Sequence, residues 1–246
     1  MIASVPEWQR RTAILLKPEG VARLNASRVL LVGAGGVGGY AAEALVRAGV
    51  GHLTLVDFDR VQLTNCNRQL AALHSTAGQS KVAVLAQRLR DINPALDLTI
   101  REEEVTPDNA AELLREEAWD FLLDAIDSVP AKCALLAAAH AMKIPTVSAM
   151  GAGGKLDPTQ IRFADIAKTT HCPLARQVRS RLRQYGVTRG VPTVFSTEPT
   201  PDDAFLPPDR EQGERRATVG TISYMPALFG LYMAAAAIRG LSKNIV

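Results

Sequence analysis

Short runs of consecutive apolar residues alternate with stretches of helical periodicity along the first 150 positions of the chain. The apolar runs occupy residues 28–33, 52–57, 98–101, 121–125 and 144–147, and the helical stretches residues 37–48, 81–91, 107–117 and 130–142. Strands that alternate with helices of this length predict a parallel sheet with right-handed crossovers. Because the runs are continuously apolar, we expect both faces of the sheet to be covered, as in a doubly wound α/β fold.

The pattern changes after residue 150, where the predicted elements become shorter. They are a turn at residues 151–154, strands at residues 161–165 and 192–196, and an arginine-dotted helix at residues 171–185. Pro, Asp, Glu and Arg fill residues 198–216 and predict a mobile loop. We therefore divide the chain into an N-terminal helical arm (1–27), a sheet-forming core (28–150) and a C-terminal extension integrated with that core (151–246).

An uncharged segment, residues 222–238, predicts an apolar helix near the C-terminus. A membrane span needs about 20 residues, whereas this segment is shorter and contains Pro226. We therefore favour a helix buried in the core or at a subunit interface, with no stable membrane insertion. The first residues lack the apolar core of a signal peptide, which predicts a cytoplasmic protein.

Composition narrows the class of protein. The chain has 246 residues, of which 47% are hydrophobic and 22% charged, and this balance excludes wholesale disorder. Its three cysteines are too few and too scattered for a disulfide scaffold or a four-thiolate zinc site, and no C-x-x-C pair occurs. The formal net charge of +3 allows an anionic partner without requiring one.

A glycine-rich motif, GAGGVG at residues 33–38, directly follows the first predicted strand and opens a helix. Gly33, Gly35 and Gly38 fit the pattern G-x-G-x-x-G, and Gly36 lies between them. In this context glycines allow a tight turn, and backbone N–H groups at the helix N-terminus can hold phosphate. The motif favours a Rossmann-like core that binds a nucleotide. The alternative is that the glycines serve only close packing of strand and helix.

Charged residues after the second strand indicate which nucleotide is bound. Asp57 lies where an acid that binds ribose is expected, and Asp59 follows it; a nicotinamide dehydrogenase and an ATP-using enzyme both fit at this point. Asn65, Arg68 and Lys81 favour ATP, because charge develops on a triphosphate as pyrophosphate leaves and cations stabilise it. The alternative is that Arg68 and Lys81 are ordinary solvated cations.

Two aspartates occur near the end of the fourth strand, in the segment DAIDS at residues 124–128. A carboxylate at this edge of the sheet can hold Mg²⁺ while the metal bridges phosphates. Asp127 lies past the strand and could project into such a site, whereas Asp124 lies inside the apolar run and could be structural. The alternative for Asp127 is the N-cap of the following helix.

Five segments, in matching order and spacing, resemble the adenylating domain of the ubiquitin-activating and ThiF/MoeB superfamily. They are GAGGVGG (33–39), LVDFD (55–59), NCNRQ (65–69), GQSK (78–81) and DAIDS (124–128). Other segments are similar to one branch, the tRNA threonylcarbamoyladenosine dehydratases of the TcdA (CsdL) family: NRQLAAL, INPALDLTI, VTPDNA, DAIDSVPAK, GAGGKLDPTQIRFADIAKT, CPLARQVRSRLR and FSTEP. With these, the resemblance extends from about residue 11 to residue 238.

The resemblance implies an ATP-dependent enzyme that acts on tRNA carrying N6-threonylcarbamoyladenosine. The threonyl carboxylate would be adenylated by Mg-ATP and then cyclised, with release of pyrophosphate and AMP. The implied site residues are a phosphate loop, a ribose-binding acid, a triphosphate-binding set and a Mg²⁺ ligand: Gly33, Gly35, Gly36 and Gly38; Asp57, with Asp59 beside it; Asn65, Arg68 and Lys81; and Asp127.

The resemblance also implies a homodimer. Arg11 matches the arginine that superfamily dimers insert into the neighbouring subunit's ATP site, where it would act in trans. The neighbouring Arg10 makes this assignment ambiguous, and the alternative is an ordinary surface arginine. Members of this branch also work beside a cysteine desulfurase system in some organisms, and loop carbonyls could hold a monovalent cation; the sequence decides neither point.

The chain departs from superfamily members that serve ubiquitin-like sulfur carriers. Those members often have paired C-x-x-C zinc ligands and a catalytic cysteine, and the zinc pairs are absent here. Cys172 opens the arginine-dotted helix, where a helix N-terminus could lower the pKa of its thiol. We favour a structural or incidental cysteine, because the implied cyclisation needs no enzyme nucleophile.

The arginine-dotted helix is a candidate tRNA surface. Arg176, Arg179 and Arg183 share one helix face by their spacing, and Arg181 and Arg189 lie close by. Such a face could contact tRNA phosphates, or it could simply be solvated. Three more arginines in the predicted loop could close over the anticodon arm: Arg210, Arg215 and Arg216.

Three other functions compete with the dehydratase. The first is an adenylyltransferase that activates the C-terminal glycine of a ubiquitin-like sulfur carrier, and the second is a non-enzymatic nucleotide sensor. The third is a dehydrogenase, a hypothesis with little support because the sequence contains no obvious acid or base for hydride transfer. The arginine-dotted helix and the missing zinc cysteines favour the dehydratase over the adenylyltransferase.

Overall fold

A computed structural model of the chain describes residues 5–207 and 218–242. Seven strands form its central sheet: β1 (Arg28–Val32), β2 (His52–Val56), β3 (Asp97–Arg101), β4 (Phe121–Asp124), β5 (Thr146–Ala149), β6 (Ile161–Asp165) and β7 (Pro192–Ser196). Their order is β3-β2-β1-β4-β5-β7-β6. Every neighbouring pair is parallel except β6 and β7. The mostly parallel sheet predicted from the apolar runs is therefore confirmed.

Seven α-helices accompany the strands within the described residues. They are α1 (Arg10–Ala26), α2 (Gly38–Ala48), α3 (Lys81–Ile92), α4 (Ala110–Arg115), α5 (Val129–Ala141), α6 (Pro173–Gln184) and α7 (Tyr224–Ser242). A separate two-stranded ribbon pairs β8 (Phe205–Leu206) with β9 (Thr218–Val219). Helix α1 is kinked at Lys17, which has a positive φ of 63° and precedes Pro18, because the residue before a proline is disfavoured in helical geometry.

Both faces of the sheet are covered by apolar side chains. Val29 and Leu31 of β1 belong to the core that α2, α3 and α7 complete, whereas Leu30 and Val32 belong to the core beneath α4 and α5. Successive strand residues point to opposite faces, so the continuously apolar run in β1 serves two cores. A third core lies between α5 and α6.

Helix α7 has the length and composition of a membrane span, and 44% of its apolar window is buried in the fold. Residues spaced by four positions are buried on one face, against α2 and its neighbours: Met225, Phe229, Met233 and Ala237. On its other face Leu231 is 44% and Tyr232 42% exposed. The structure therefore supports the predicted core helix on one face and leaves an apolar strip on the other.

Several predicted boundaries were wrong. Strand β5 begins at Thr146 rather than residue 144, because its ladder with β4 begins where Leu122 pairs with Thr146. Helix α4 spans residues 110–115 rather than 107–117, because the Asn109 side chain accepts the Thr106 N–H and closes a turn before the helix. Helix α6 begins at Pro173, since His171 has a positive φ of 52°.

The C-terminal extension contributes to the same sheet as the core. Strand β7 pairs with β5, and β6 forms the antiparallel edge. The division at residues 150/151 therefore cuts through one sheet, and the proposed domain bounds stay a prediction. Within the predicted loop 198–216, residues 202–206 form a short turn and β8, and residues 208–216 lie outside the described part of the chain.

Candidate active site

A cavity of about 640 Å³ lies at the carboxyl ends of β1, β2 and β4. The strand order reverses at this point, because β1 lies between β2 and β4. Ligands of open parallel sheets bind at such switch points. Eight of the predicted site residues line this one cavity: Gly33, Gly35, Gly36, Asp57, Asp59, Arg68, Lys81 and Asp127.

The glycine loop is shaped by two close backbone approaches. Gly33 has a positive φ of 97°, and a Cβ there would lie 2.7 Å from the carbonyl oxygen of Ala125. A Cβ at Gly38 would collide with the carbonyl oxygen of Gly33, so Gly38 shapes the loop and does not line the cavity. Gly35 has open space, since a Cβ there would be 3.8 Å from its nearest neighbour, Gln69.

Asp57 connects the glycine loop to the end of β2. Its Oδ2 accepts the Ala34 N–H at 2.6 Å, and its Oδ1 accepts the Asp59 N–H at 2.8 Å. Burial raises the pKa of Asp57, while these two N–H groups and the nearby Lys81 oppose the increase. Each carboxylate oxygen has a second lone pair, so the side chain can accept further hydrogen bonds from the cavity.

Two cations predicted to bind phosphate lie on the cavity wall, each held by a neighbour. The Lys81 ammonium contacts Asp59 Oδ2 at 2.7 Å, and the Lys81 residue is only 5% exposed. Arg68 donates from Nη1 to Asn67 Oδ1 at 2.8 Å and to the Thr64 carbonyl at 3.0 Å. These contacts restrict the positions of two positive charges beside the glycine loop.

Asn65 does not line the cavity. It is buried, its Oδ1 accepts the Gln62 N–H at 3.1 Å, and its carbonyl accepts the N–H groups of Arg68 and Gln69. Its position therefore supports the segment that carries Arg68. Its predicted direct contact with a nucleotide stays a prediction.

The two aspartates after β4 have different environments. Asp124 is fully buried, and its Oδ2 contacts Lys132 Nζ at 2.7 Å and Ser148 Oγ at 2.6 Å. Its Oδ1 accepts the Ile126 N–H at 3.1 Å, which fixes the start of the following loop. Asp127 is exposed to the cavity and does not cap α5, whose N-cap is Ser128.

The structure brings further residues to the cavity that the sequence did not single out. Lys155 is 1% exposed, donates to the Glu198 carbonyl, and has a pKa lowered by burial. A lysine after the glycine run of residues 151–154 was the available signal. Phe58, between Asp57 and Asp59, is 56% exposed and gives the cavity an aromatic surface. Cys172, which the sequence did single out, also lines the wall, and its Sγ accepts the Ala175 N–H at 3.4 Å.

Other predicted residues lie elsewhere. Arg11 is exposed on α1 and does not line the cavity of its own chain. Arg176 and Arg183 are exposed on α6, while the predicted third member of that face, Arg179, is half-buried and bonded to Thr169. The other arginines proposed to close over a ligand lie outside the described residues: Arg210, Arg215 and Arg216.

Comparison with known proteins gives one consistent family. The sequence model of the ThiF family matches residues 9–245 of the chain. An Escherichia coli protein named tRNA threonylcarbamoyladenosine dehydratase is 44% identical over 201 residues, which cover 78% of this chain and 75% of the relative. A Bacillus subtilis protein of the same name is 37% identical over 242 residues, or 96% and 94% of the two chains.

A solved structure agrees with these sequence matches. The crystal structure of E. coli tRNA N6-threonylcarbamoyladenosine dehydratase, TcdA, in complex with ATP superposes with a TM-score of 0.87. The two sequences are 38% identical, and the match covers 96% of each chain. The shared architecture therefore includes the C-terminal extension as well as the glycine-loop core.

Proposed function

This chain belongs to the ThiF family, and from that premise we propose that it is an ATP-dependent tRNA threonylcarbamoyladenosine dehydratase. One observation carries the proposal: the cavity at the switch point brings together the glycine loop, Asp57, Arg68, Lys81 and Asp127. Relatives with this name match nearly the whole chain, and one of them binds ATP in its crystal structure.

The residues of the cavity have distinct proposed roles toward ATP. The N–H groups of the glycine loop hold phosphate, and Asp57 accepts ribose hydroxyls through its remaining lone pairs. Arg68 and Lys81 stabilise the charge that grows on the departing pyrophosphate. Phe58, exposed at the mouth of the cavity, offers a surface against which the adenine can pack.

Asp127 is the proposed ligand of Mg²⁺. Its carboxylate is exposed on the cavity wall and has no role in capping α5, so it fits a metal that takes its other oxygen ligands from phosphates and water. A Mg²⁺ ion held there would supply charge neutralisation for the phosphates. Among the described residues no group of three His, Cys, Asp or Glu side chains could enclose a metal.

The proposed reaction has two steps. The threonyl carboxylate attacks the α-phosphorus of ATP, an acyl-adenylate forms, and pyrophosphate leaves. The carbamoyl group of the same nucleoside then attacks the activated carbonyl carbon, loses a proton and expels AMP, so that the substrate loses one water overall. Because the second nucleophile belongs to the substrate, the protein needs only to orient the two groups.

We propose that the enzyme works as a cytoplasmic homodimer. Three exposed apolar residues lie within four positions of Arg11 on the N-terminal arm, and exposed apolar surface of this kind is typical of an interface: Trp8 is 42%, Ile14 62% and Leu15 80% exposed. In a dimer, Arg11 would enter the partner's cavity. A cysteine desulfurase partner and a monovalent cation in loop carbonyls stay predictions.

The competing adenylyltransferase of sulfur carriers shares the nucleotide site. Residues beyond 150 favour the dehydratase, because relatives with that name match this part of the chain as well. The substrate carboxylate, not the ATP chemistry, therefore separates the two functions.

The deciding experiment measures AMP release from Mg-ATP in the presence of tRNA with and without the threonylcarbamoyl group. We expect AMP only with the modified tRNA, together with a nucleoside lighter by one water in mass spectrometry. Lys81→Met should lower the rate by about 100-fold or more, whereas Lys168→Met removes an exposed lysine outside the cavity and should leave it unchanged.

AMP release that does not depend on the modified tRNA would contradict the proposal and point to a protein or peptide carboxylate. Equal rates in Lys81→Met and Lys168→Met would contradict only the role of Lys81 in the triphosphate site, and the proposed function would stand. The two failures are therefore distinguishable.

A further inference from the structure

A groove leads out of the cavity along helix α6. Next to the cavity lies a hollow of about 380 Å³ that shares Cys172, Pro173 and Thr200 with it. Beyond this hollow lies another of about 650 Å³, and the two hollows share Arg176 and Arg179. The three spaces therefore form one path from the glycine-loop side of the molecule to the far end of α6.

The two hollows outside the cavity, which form the groove, are lined by arginine and by no acidic residue of the described part of the chain. Four arginines face its outer part: Arg176, Arg179, Arg181 and Arg183. Helix α6 itself contains no Asp or Glu, and among the described residues none of these arginines lies within 4.0 Å of a carboxylate. The helix also begins at the cavity, so its positive N-terminal end adds to the field there.

The arginines differ in how firmly they are held. Arg179 donates to the Thr169 carbonyl at 2.9 Å and to the Thr169 hydroxyl, and Arg181 is half-buried. Arg176 and Arg183 are exposed and, at about 1.5 Å of rise per residue, lie about 10 Å apart along the helix. Two accessible guanidinium groups therefore follow the groove, one near the cavity and one farther out.

We propose that this groove binds the phosphodiester backbone of the RNA strand whose modified nucleoside reacts in the cavity. The proposal rests on the proposed function and adds the surface by which the substrate is held. Arg176 contacts a phosphate close to the reacting nucleoside, and Arg183 contacts one farther along the strand. Guanidinium groups grip phosphate oxygens in pairs, which suits a backbone with one charge per nucleotide.

The composition of the groove favours RNA over an acidic protein. Protein interfaces depend on buried aromatic and aliphatic anchors, whereas the apolar residues that line the two outer hollows are few: Val129, Pro173 and Pro199. A strand of phosphates needs charge rather than apolar pockets, and binding of this kind weakens as salt rises.

The test compares Arg183→Gln and the double variant Arg176→Gln/Arg183→Gln with a matched control, Arg189→Gln. Arg189 was predicted to lie near the candidate tRNA surface, but the structure places it outside the groove: it is exposed just after α6 and lines a different hollow, with Asp165 and Lys168. Affinity for tRNA is measured by fluorescence anisotropy at several salt concentrations, affinity for ATP by calorimetry, and kcat and KM by AMP release.

For Arg183→Gln we expect the Kd and KM for tRNA to rise about 3- to 10-fold, with a larger increase in the double variant. The slope of log affinity against log salt should fall by about 0.7 for each arginine removed. The affinity of Arg183→Gln for ATP and its kcat at saturating tRNA should stay unchanged, since Arg183 is remote from the reacting atoms. Arg189→Gln should match the wild type.

Unchanged tRNA affinity and salt slope in the double variant would overturn the proposal and leave an acidic protein as the occupant of the groove. A loss of equal size in Arg189→Gln would also overturn it, because only overall charge would then matter. Since tRNA binding is measured without catalysis, a wild type that releases no AMP would refute the proposed function and leave the test of the groove intact.

Discussion

At the scale of single residues, the environment of a charge decides its role. Asp124 and Asp127 are three positions apart in one segment, yet one is buried in an ion pair and the other faces the cavity. The apolar run around Asp124 predicted this difference. Its partner Lys132 could not be predicted, because the sequence does not show that the strand end and the first turns of α5 bring the two side chains together.

Lys132 gives a test of stability. Replacing it in Lys132→Met leaves the Asp124 carboxylate buried without its cation, so the free energy of unfolding should fall by about 3–5 kcal/mol. Urea denaturation measures the change. The double variant Asp124→Asn/Lys132→Met removes the buried charge and keeps an acceptor for the Ile126 N–H, so it should recover more than half of the loss. Additive losses would show that the ion pair is not the cause.

Other single residues show where prediction from the sequence ended. Arg68 and Lys81 were predicted as cavity residues and line it, because the loops that follow the carboxyl ends of neighbouring parallel strands meet at the same edge of the sheet. Asn65 was predicted beside them, but its side-chain oxygen accepts a hydrogen bond from the Gln62 N–H of its own turn. Lys155 was missed, because its burial against the Glu198 carbonyl depends on a contact 43 positions away along the chain.

At the scale of elements, the glycine loop combines a packing role with the proposed phosphate-binding role, and the motif alone does not separate the two. Gly33 and Gly38 permit the strand, the turn and α2 to pack closely, whereas Gly35 faces open space in the cavity. Close packing therefore accounts for Gly33 and Gly38, whereas the phosphate-binding prediction concerns Gly35 in the same loop.

Alanine substitutions should separate these two functions. Gly38→Ala forces a methyl group against the Gly33 carbonyl oxygen, so the free energy of unfolding should fall by about 3 kcal/mol or more. Gly35→Ala meets no close neighbour and should keep its stability, but its methyl group obstructs phosphate, so the affinity for ATP should fall about tenfold. Chemical denaturation and calorimetry measure the two effects, and the reverse pattern would contradict these roles.

The regular elements themselves were largely predictable. The predicted ends of β1 and β2 lie within one residue of the observed ones, because continuous apolar runs that end in glycine or aspartate have clear limits. The starts of β5 and α4 were less clear, since they depend on the ladder with Leu122 and on the Asn109 turn. The position of β7 beside β5 was not predictable, because no local pattern states which distant strand it joins.

At the scale of the whole molecule, the candidate functional residues lie at one edge of the sheet. The switch point between β1 and β4 gathers loops from the core, and the extension adds Lys155, Cys172 and the arginine groove to the same side. The sequence order of these segments does not reveal this convergence, but the alternation of strands and helices predicts it for the loops of the core.

The proposed dimer is the remaining feature at this scale, and it can be tested by mixing inactive variants. Arg11→Ala retains an intact cavity but offers no arginine at position 11 to its partner, and Asp127→Ala retains Arg11 but lacks the proposed metal ligand. If Arg11 acts in trans, a heterodimer has one complete site, so an equal mixture that exchanges subunits freely should regain about a quarter of wild-type AMP release. If activity stays at the level of the separate variants while mass spectrometry confirms subunit exchange, Arg11 lies outside the partner's site. Replacing Arg11→Ala by Arg10→Ala in the same mixture identifies which of the two arginines acts.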